Sequence, residues 1–336
     1  MPRVSILLPS YNHAAFLPEC IRSIQAQTFS DWELIAIDDG SKDDSVAILN
    51  ELAALDPRIQ VDVNPENLGT YGTEQKALER SKGSFVAIMN SDDLWHPEKL
   101  ATQITLLEKH PECSLCYVLG SMVDDEGKLL PEEDVHIGWP RTEVQDILPF
   151  LLFENRVLAS GVMFRRETLR FDPTCRYSGD WVALLEQARR TPVAFVSRPL
   201  TFWRQHETNT YKRSANQVVE EIRVREAIMD NVGLWFPPHI HASIIRASLL
   251  KNSMMLFDLG IYFKEGRVSR KAGRAICKYY AQMLKSMLKR TLVTYLPGDF
   301  VRNYLVKGVD RDSMGVPIEE VLTKVAQSQP LKFRDS

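Results

Sequence analysis

An acidic pair follows an apolar segment in the first third of the chain. The segment "FVAIM" (85–89) runs directly into "NSDD" (90–93), which ends in Asp92 and Asp93. Two adjacent carboxylates repel each other, so both must stay solvated or meet a counter-ion. Mg²⁺ and Mn²⁺ bind oxygen ligands, and Mg²⁺ is typically held by one or two carboxylates together with substrate phosphates. Helix capping is the other interpretation, because acidic residues also stabilise a helix N-terminus, here that of the helix expected after Pro97.

A second acidic pair has the same setting. Asp38 and Asp39 follow the apolar segment "WELIAI" and precede Gly40. Two acidic strand ends at one edge of a sheet are difficult to explain as helix caps, which favours a bound cation. Asp38 fits a residue that only orients the turn, and an Asx turn before Gly40 remains the alternative interpretation of Asp39.

The elements that position these pairs alternate regularly. Apolar segments typical of strands are "VSILL", "WELIAI", "RIQVDV" and "FVAIM", and helical spacing of apolar residues appears between them. This alternation predicts parallel βαβ units joined by right-handed crossovers in one sheet. Ligands of such sheets bind at the carboxyl ends of the strands, and "PSYNH", "DDGS" and "NSDD" all fall there. The sequence therefore predicts a ligand site at this edge.

The second half of the chain has a different pattern. The alternation loosens from about residue 140, and after about residue 214 the sequence is almost wholly helical. We predict an α/β domain at 1–214, with a mixed, mostly parallel sheet flanked by helices, and a helical region at 215–336.

Composition excludes several classes of function. The chain is 44% hydrophobic and 25% charged, which is typical of a soluble globular protein. A net charge of −3 gives no argument for nucleic acid as a partner, and five cysteines without disulfide-like spacing indicate a reducing compartment. No apolar run reaches the roughly 18 to 20 residues that cross a bilayer, and the apolar core before Pro9 is too short for a secretory signal. We expect a cytoplasmic protein.

The combined motifs resemble the inverting glycosyltransferases of family 2. The resemblance is carried by "VSILLPSYNHAAFLPECIRSIQAQTFSDWELIAIDDGSKDDS" and by "NPENLGTYGTEQKALERSKGSFVAIMNSDDLWHPEKLATQ". It is strong over residues 3–120 and loose over 120–210. It implies the GT-A fold, which is Rossmann-like, and transfer of a sugar from a nucleotide-sugar, most simply a UDP-sugar, to a hydroxyl acceptor.

The resemblance also implies roles for single residues in donor binding. Pro9 and Tyr11 would line the nucleotide site, with Tyr11 against the base, and Asp39 would accept a hydrogen bond from the imide N–H of uracil or thymine. Asp92 would approach the ribose. Asp93 would coordinate the Mn²⁺ or Mg²⁺ ion that bridges the two phosphates of the donor and neutralises the leaving group. Tyr11 as a plain turn residue remains the alternative.

Other positions of the motifs are less regular. Asn67 and Gly69 are assigned to a loop near the donor, where Asn67 would contact the nucleotide. Asn90 stands where many family members carry the first Asp of the metal motif. Asn brings no charge, so this departure bears on the strength of cation binding.

The catalytic base is expected further along the chain. The segment "SGDWVALLEQAR" resembles the family's "EDWDLWLRLA", which puts Gly179 in place of Glu and Asp180 in place of the catalytic Asp. With an ordinary pKa of about 3.9, Asp180 would be ionised at neutral pH and able to accept the proton of the acceptor hydroxyl. A helix N-cap is the alternative role of Asp180.

A last motif follows the expected final strands. The segment "FWRQHETNT" resembles the family's "Y-R-x-H", so Arg204 would face the diphosphate and His206 the metal. A single His is more often structural than a ligand.

The region near 264–290 is basic and amphipathic. Residues 261–307 contain eleven Lys or Arg and two acids, and six of the basic residues fall on one helical face. This predicts either peripheral contact with a membrane, which would suit a lipid-linked saccharide acceptor at the inner face of the cytoplasmic membrane, or an ordinary helix with a solvated basic side. Tryptophan and tyrosine residues of the tail would also serve a homo-oligomer interface.

The resulting hypothesis is a metal-dependent inverting glycosyltransferase of bacterial cell-surface polysaccharide or glycolipid assembly. There are two alternatives to this hypothesis. A sugar-1-phosphate nucleotidyltransferase would need a Gly-rich, basic loop after the first strand, and "PSYNHAAF" has neither feature. A degenerate transferase acting as a nucleotide-sugar-binding or assembly subunit is suggested by Asn90 and Gly179, although Asp93 and Asp180 are retained.

Overall fold

The computed structural model describes residues 1–131, 139–207, 209, 215–236, 238 and 241–264, which fall into two units. The first unit comprises Met1–Leu151 and Asn155–Thr210. The second comprises Leu152–Glu154 and the described residues from 215 onward. The predicted domain boundary at 214/215 stays a prediction. Of the basic helix predicted at 264–290, only residue 264 is among the described residues.

The first unit begins with parallel βαβ units. Its elements, in chain order, are β1 (Val4–Ser10), α1 (Leu17–Gln25), β2 (Trp32–Asp38), α2 (Ser45–Leu55), β3 (Ile59–Val63), α3 (Thr70–Arg80) and β4 (Phe85–Ile88). Strand β1 pairs in parallel with β2 on one side and with β4 on the other, and β2 pairs in parallel with β3. The alternation that the sequence predicts is therefore confirmed.

The rest of the first unit extends this sheet with mixed strand directions. Its elements are β5 (Leu94–Trp95), α4 (Lys99–Lys109), β6 (Leu115–Val123), β7 (Val144–Gln145), α5 (Leu148–Phe153, whose last two residues belong to the second unit), β8 (Val162–Arg165), α6 (Gly179–Ala188) and β9 (Val193–Arg204). In the described residues the sheet has nine strands in the order β3-β2-β1-β4-β8-β6-β9-β5, with β7 beside β9. Strand β8 runs antiparallel to both β4 and β6, while β6 and β9 are parallel.

Burial explains why the central strands form. Every residue of β1, β2 and β4 is buried, as expected of parallel strands that are covered on both faces. Helix α1 packs on the sheet through Leu17, Cys20, Ile21 and Ile24, which recur at helical spacing, and Pro18 lies in its first turn. The carboxyl ends of these strands are thereby fixed by a continuous apolar core.

The second unit is helical where it is described. It contains α7 (Ala215–Asp230), α8 (Val232–Trp235) and α9 (His241–Lys264). The buried Arg225 side chain donates hydrogen bonds to the carbonyl oxygens of Leu152 and Phe153, at 2.9 and 3.1 Å, and Lys251 Nζ lies 2.9 Å from Glu154 Oε1. None of the helices in the described residues combines the length and the apolar character that a membrane span requires.

Candidate functional site

The three polar motifs meet at one edge of the sheet. Ser10, the last residue of β1, pairs with Asp38 of β2, and its carbonyl oxygen accepts a hydrogen bond of 2.7 Å from the Asp39 N–H. On the other side of β1, the Met89 N–H donates to the Leu7 carbonyl at 2.9 Å, so the residues after β4 lie beside those after β1. The edge predicted from the sequence is therefore the place where candidate functional residues gather.

Asp39 is buried at this edge and organises the loop between β3 and α3. Its Oδ1 accepts hydrogen bonds from Asn64 Nδ2 and the Leu68 N–H, both at 2.8 Å, and its Oδ2 accepts one from the Gly69 N–H at 2.9 Å. Asn67 is exposed in the same loop, and its Nδ2 lies 3.2 Å from the Asp39 carbonyl oxygen. The two predicted nucleotide residues Asp39 and Asn67 are thus brought together.

Asp38 and Pro9 are both buried within the protein at this edge. Asp38 is fully buried, and its carboxylate accepts hydrogen bonds from the N–H groups of Gly40 and Ser41 and from Ser41 Oγ, which orients the turn. Pro9 is buried inside β1, opposite Ile37 of β2. The predicted contact between Pro9 and the nucleotide stays a prediction.

Tyr11 lies on the exposed side of the edge. Its side chain is 45% exposed, which leaves its ring accessible to a planar ligand. The next residue, Asn12, has a positive φ of 54°, and its Oδ1 accepts a 2.7 Å hydrogen bond from the Lys42 N–H. The loop that carries Tyr11 is therefore fastened to the loop after β2.

Asp93 lies in an interior hydrogen-bond network. It is 2% exposed; Oδ2 accepts hydrogen bonds from Ser160 Oγ at 2.5 Å and Asn90 Nδ2 at 3.3 Å, and Oδ1 accepts one from the Arg204 N–H at 3.1 Å. Burial, followed by the neighbouring Asp92 carboxylate, raises the pKa of Asp93 to about 8. The geometry does not favour Asp93 as the cation ligand that the sequence predicts, because protein donors already hold both of its oxygens.

Asp92 faces a different environment. Its Oδ2 lies 3.0 Å from His206 Nε2, and one ligand atom each from His13, Asp92 and His206 lies within 4.8 Å of the other two. The 3.0 Å spacing is that of neighbouring ligands about 2.1 Å from one ion. Two imidazoles and a carboxylate suit a transition-metal dication, so these residues fit the predicted cation. The sequence predicted His206 at this position but assigned Asp92 to the ribose.

The imidazole of His13 completes this group. Its Nδ1 lies 2.7 Å from Ser91 Oγ, and its ring meets the rings of Phe16 and His206 edge-on, at 5.8 and 5.7 Å between centroids. Desolvation by burial lowers the pKa of His13, which favours the neutral imidazole that can bind a metal. Sequence reasoning missed His13, although it lies in the quoted "PSYNH", because its neighbours in space are distant in sequence.

The buried Arg204 side chain forms hydrogen bonds with three separate segments of the chain. Its side chain is 1% exposed; Nε donates to the Asp92 carbonyl oxygen at 2.9 Å, Nη1 to the Asp125 carbonyl oxygen at 2.6 Å, and Nη2 to Glu19 Oε2 at 2.6 Å. The guanidinium carbon also lies 5.3 Å from the centre of the Phe16 ring. These contacts favour a positioning role for Arg204 rather than the predicted contact with a diphosphate.

Asp180 lies in the first turn of α6 and is half-buried. Its Oδ1 accepts a hydrogen bond of 3.0 Å from the Tyr71 hydroxyl, and its Oδ2 lies 3.3 Å from Asn155 Nδ2. Tyr71 belongs to α3 and lies two residues after Gly69, whose N–H donates a hydrogen bond to the Asp39 carboxylate. A short segment therefore links the predicted base-recognition carboxylate to the predicted catalytic base.

The Tyr71 ring also explains the glycine before Asp180. A Cβ atom at Gly179 would lie 2.4 Å from Tyr71 Cγ, so no side chain fits there. Glu74, one turn further along α3, is 1% exposed, and its Oε2 has no hydrogen-bond partner within the described part of the chain. Desolvation, followed by the nearby Asp180 charge, raises the pKa of Glu74 well above its usual value. Sequence reasoning missed Tyr71 and Glu74, because nothing in the periodicity of α3 distinguishes them from core positions.

Sequence comparison identifies relatives of the first unit. Residues 5–167 match the profile of the family described as "Glycosyl transferase family 2". The putative teichuronic acid biosynthesis glycosyltransferase TuaG of Bacillus subtilis is 34% identical over 126 residues, which are 38% of this chain and 50% of TuaG. An uncharacterized glycosyltransferase of Haemophilus influenzae is 26% identical over 66% of this chain and 72% of its own length. The match thus spans only about half the length of TuaG.

Solved structures share the fold. TarS 1–349 of S. aureus in complex with UDP-GlcNAc has a TM-score of 0.56 and 15% identity, covering 80% of this chain and 93% of the TarS chain. The mannosyltransferase PcManGT of Pyrobaculum calidifontis, in complex with GDP-Man and Mn²⁺, has a TM-score of 0.53 and 16% identity, covering 87% of this chain and 84% of PcManGT. At this level of identity, the likeness concerns the fold.

Proposed function

Because residues 5–167 belong to glycosyltransferase family 2 and the fold is of the GT-A type, we propose that the chain transfers a sugar from a nucleotide-sugar to a hydroxyl acceptor, with inversion at the anomeric carbon. The observation that carries the proposal is the link from Asp39 through Gly69 and Tyr71 to Asp180. It joins a buried carboxylate suited to a nucleotide base to a half-buried carboxylate suited to proton transfer.

The donor would lie along the edge formed by the loops after β1, β2 and β3. Tyr11 offers an exposed ring to the base, and the carboxylate of Asp39 has room for one further donor, such as the imide N–H of uracil. The structures of TarS with UDP and UDP-GlcNAc support a UDP-sugar as the donor. Asn67, whose Nδ2 is hydrogen-bonded to the Asp39 carbonyl oxygen, would contact the nucleotide from the β3–α3 loop.

Asp92 and His206 would hold the divalent cation, Mn²⁺ or Mg²⁺. Arg204, two residues before His206, would fix the segments that carry these two ligands, because its side chain bonds to the Asp92 carbonyl oxygen and to Glu19. When bound, such a cation neutralises the negative charge that develops on the departing nucleoside diphosphate. Asp93 would support Asp92 from within the protein. This assignment gives Asp92 the role of cation ligand that the sequence resemblance implies for Asp93.

Asp180 would act as the general base. It would take the proton of the acceptor hydroxyl while the acceptor oxygen forms a bond to the anomeric carbon and the bond from that carbon to the diphosphate breaks. The Tyr71 hydroxyl, by donating to Oδ1, would keep the carboxylate in one orientation. A positioned base of this kind contributes about 10²–10⁴-fold to the rate.

The departures from the family pattern do not require a degenerate transferase. Asn90 donates to Asp93 in the interior network, and the space of a Glu side chain at position 179 is filled by the Tyr71 ring. We therefore propose a catalytic protein. The resemblance to TuaG, a putative teichuronic acid biosynthesis glycosyltransferase, supports an acceptor that belongs to a cell-surface polysaccharide or glycolipid. The cytoplasmic location, membrane contact and oligomer interface stay predictions.

A binding and turnover experiment tests this function. UDP and, separately, GDP would be titrated into the protein by calorimetry with Mn²⁺ and with EDTA, and UDP release from a panel of UDP-sugars would be followed by chromatography. We expect binding of UDP that Asp39→Asn weakens, and donor hydrolysis that Asp180→Asn abolishes while UDP still binds. Asp44→Asn is the matched control, because Asp44 is exposed at the start of α2 and its side chain makes no capping hydrogen bond. Absence of UDP and GDP binding would contradict the proposal.

A further inference from the structure

The Tyr71 hydroxyl lies between two hydrogen-bond acceptors. Its oxygen is 3.0 Å from Asp180 Oδ1 and 3.1 Å from the carbonyl oxygen of Tyr177. A hydroxyl group carries one proton, whereas a carbonyl oxygen and an ionised carboxylate can only accept hydrogen bonds. The proton of the Tyr71 hydroxyl can therefore serve only one of these two neighbours at a time.

We propose that Tyr71 is a positioning residue whose hydrogen bond to Asp180 reverses when Asp180 takes up a proton. While the Asp180 carboxylate is ionised, the Tyr71 hydroxyl donates to Oδ1. Once Asp180 holds the proton of the acceptor hydroxyl, Oδ1 donates a hydrogen bond to the Tyr71 oxygen, and the Tyr71 hydroxyl turns to the Tyr177 carbonyl oxygen. Both protonation states of Asp180 thus keep a hydrogen bond. This role of Tyr71 deepens the proposed function and rests on it, because Asp180 is the general base there.

The other oxygen of the Asp180 carboxylate has a partner that cannot reverse. Asp180 Oδ2 lies 3.3 Å from Asn155 Nδ2, and Asn155 Oδ1 accepts a 3.0 Å hydrogen bond from the Val157 N–H, which fixes the orientation of the amide. An amide NH₂ group can only donate, so a proton on Oδ2 would weaken this contact. Oδ1 is therefore the oxygen at which the network accommodates a proton.

The titratable groups of α3 keep their protons while Asp180 is ionised. Burial, followed by the Asp180 charge, raises the pKa of Tyr71 well above its usual value, so the hydroxyl remains a donor. Glu74, one turn after Tyr71, is buried as well, and desolvation followed by the Asp180 charge raises the pKa of its carboxyl well above the usual value. Asp180 is thus the group whose titration redirects the Tyr71 proton.

Two arginines adjoin the network along the chain. Arg156 follows Asn155, and Arg176 precedes Tyr177. A guanidinium group keeps its proton in proteins, so neither arginine changes its charge when the pH is varied. A pH-dependent change at the Tyr177 carbonyl is therefore not expected from these two side chains.

The test follows the Tyr177 carbonyl directly. The dipeptide Tyr-Ser occurs once in the sequence, at Tyr177 and Ser178. The full chain labelled with ¹³C at tyrosine carbonyls and with ¹⁵N at serine therefore gives one signal in an NMR spectrum that correlates each amide with the preceding carbonyl. We expect this carbonyl signal to move downfield as the pH falls, because the oxygen gains the Tyr71 hydrogen bond when Asp180 takes up a proton. The movement should be lost in Tyr71→Phe and in Asp180→Asn.

Tyr117→Phe is the matched control. Tyr117 is buried in β6, and its hydroxyl donates to Gln145 Oε1 at 2.8 Å, so this substitution also removes one buried hydroxyl. We expect the Tyr177 signal of this variant to move as in the wild type, and circular dichroism at each pH would check that all variants are folded. An unmoved signal in the wild type, the same movement in Tyr71→Phe, or its loss in Tyr117→Phe would overturn the proposal.

Turnover of a UDP-sugar connects the reversal to the proposed function. The acid limb of the pH profile of kcat/KM reports the essential base of the free enzyme, so we expect its midpoint to coincide with that of the Tyr177 signal. Different midpoints would overturn the proposal. If turnover is observed but the carbonyl signal does not move, the transferase stands and the reversal is wrong. If the signal moves as expected while neither UDP nor GDP binds, the reversal stands and the transferase proposal is wrong.

Discussion

The carboxylates of Asp92 and Asp93 are adjacent in sequence but lie in different environments. Asp92 Oδ2 lies 3.0 Å from His206 Nε2 and near His13, whereas both oxygens of Asp93 accept hydrogen bonds from interior donors, including Ser160 Oγ. Two like charges are thereby accommodated side by side, because one can meet a cation while burial raises the pKa of the other to about 8.

Exchange of each carboxylate for an amide should separate these two roles. Asp92→Asn removes the charged ligand, so we expect its Mn²⁺ affinity to fall by about tenfold or more, with little change in thermal stability. Asp93→Asn keeps a polar group of the same shape in the interior, so we expect Mn²⁺ affinity near that of the wild type. Calorimetry and thermal denaturation of the two variants give both quantities. The reverse pattern, with Asp93→Asn losing the ion, would restore the assignment made from the sequence.

The hydrogen bond from Tyr71 to Asp180 should influence turnover more than donor binding. Asp180→Asn removes the proton acceptor, so we expect kcat to fall by about 10²–10⁴-fold with an unchanged Kd for UDP. Tyr71→Phe keeps the ring against Gly179 but removes the hydroxyl, so we expect a smaller loss of kcat, about tenfold, at an unchanged KM for the donor. Steady-state kinetics with a donor found in the screen would measure both effects. A rise in KM for Tyr71→Phe at constant kcat would argue that Tyr71 contacts the donor instead.

Position 179, directly before Asp180, should not accept a side chain. Gly179→Ala would bring Cβ within 2.4 Å of the Tyr71 ring, so we expect the free energy of unfolding to decrease by about 1–3 kcal/mol. Gly233→Ala is the matched control in α8, since no atom lies within 4 Å of its added Cβ, and helix propensity favours Ala by about 1 kcal/mol. Urea denaturation would compare the two variants. Equal stability of both would show that Tyr71 moves aside without cost.

Lys99 should make the stability of the protein depend on pH. Its ammonium is fully buried, donates to Gln103 Oε1 at 2.8 Å and lies 4.0 Å from the centre of the Trp95 ring. Desolvation lowers the pKa of Lys99 to about 7, while in the unfolded chain it is about 10.4. Between these values the unfolded state binds more protons than the folded state, so the stability should rise as the pH rises from about 7 to about 10.

Lys99→Met should remove this slope, and Lys109→Met is the control because Lys109 is exposed in the same helix. Thermal denaturation of the three proteins between about pH 6 and pH 9.5 measures the effect. An identical pH slope in wild type and Lys99→Met would show that the Lys99 ammonium keeps its charge inside the fold.

The sequence by itself determined the central sheet and the edge at which the candidate functional residues gather. The apolar segments of β1, β2 and β4 are continuous, since both faces of parallel strands are covered, and the polar motifs follow them directly. The motifs also carried the family resemblance, from which the proposed roles of Asp39 and Asp180 derive. These features are local in the chain, so their periodicity and spacing can be read without knowing the fold.

Only the tertiary structure decided which side chain of each motif faces which partner. Asp92 and Asp93 follow a strand in an irregular turn. The direction of the Asp93 carboxylate is set by Ser160 and Arg204, and that of the Asp92 carboxylate by His206, all of them distant in sequence. The role of Tyr71 likewise arises from its packing against Gly179, which lies in a helix distant from α3 in sequence. Contacts of this kind depend on long-range packing, and no spacing within one motif contains them.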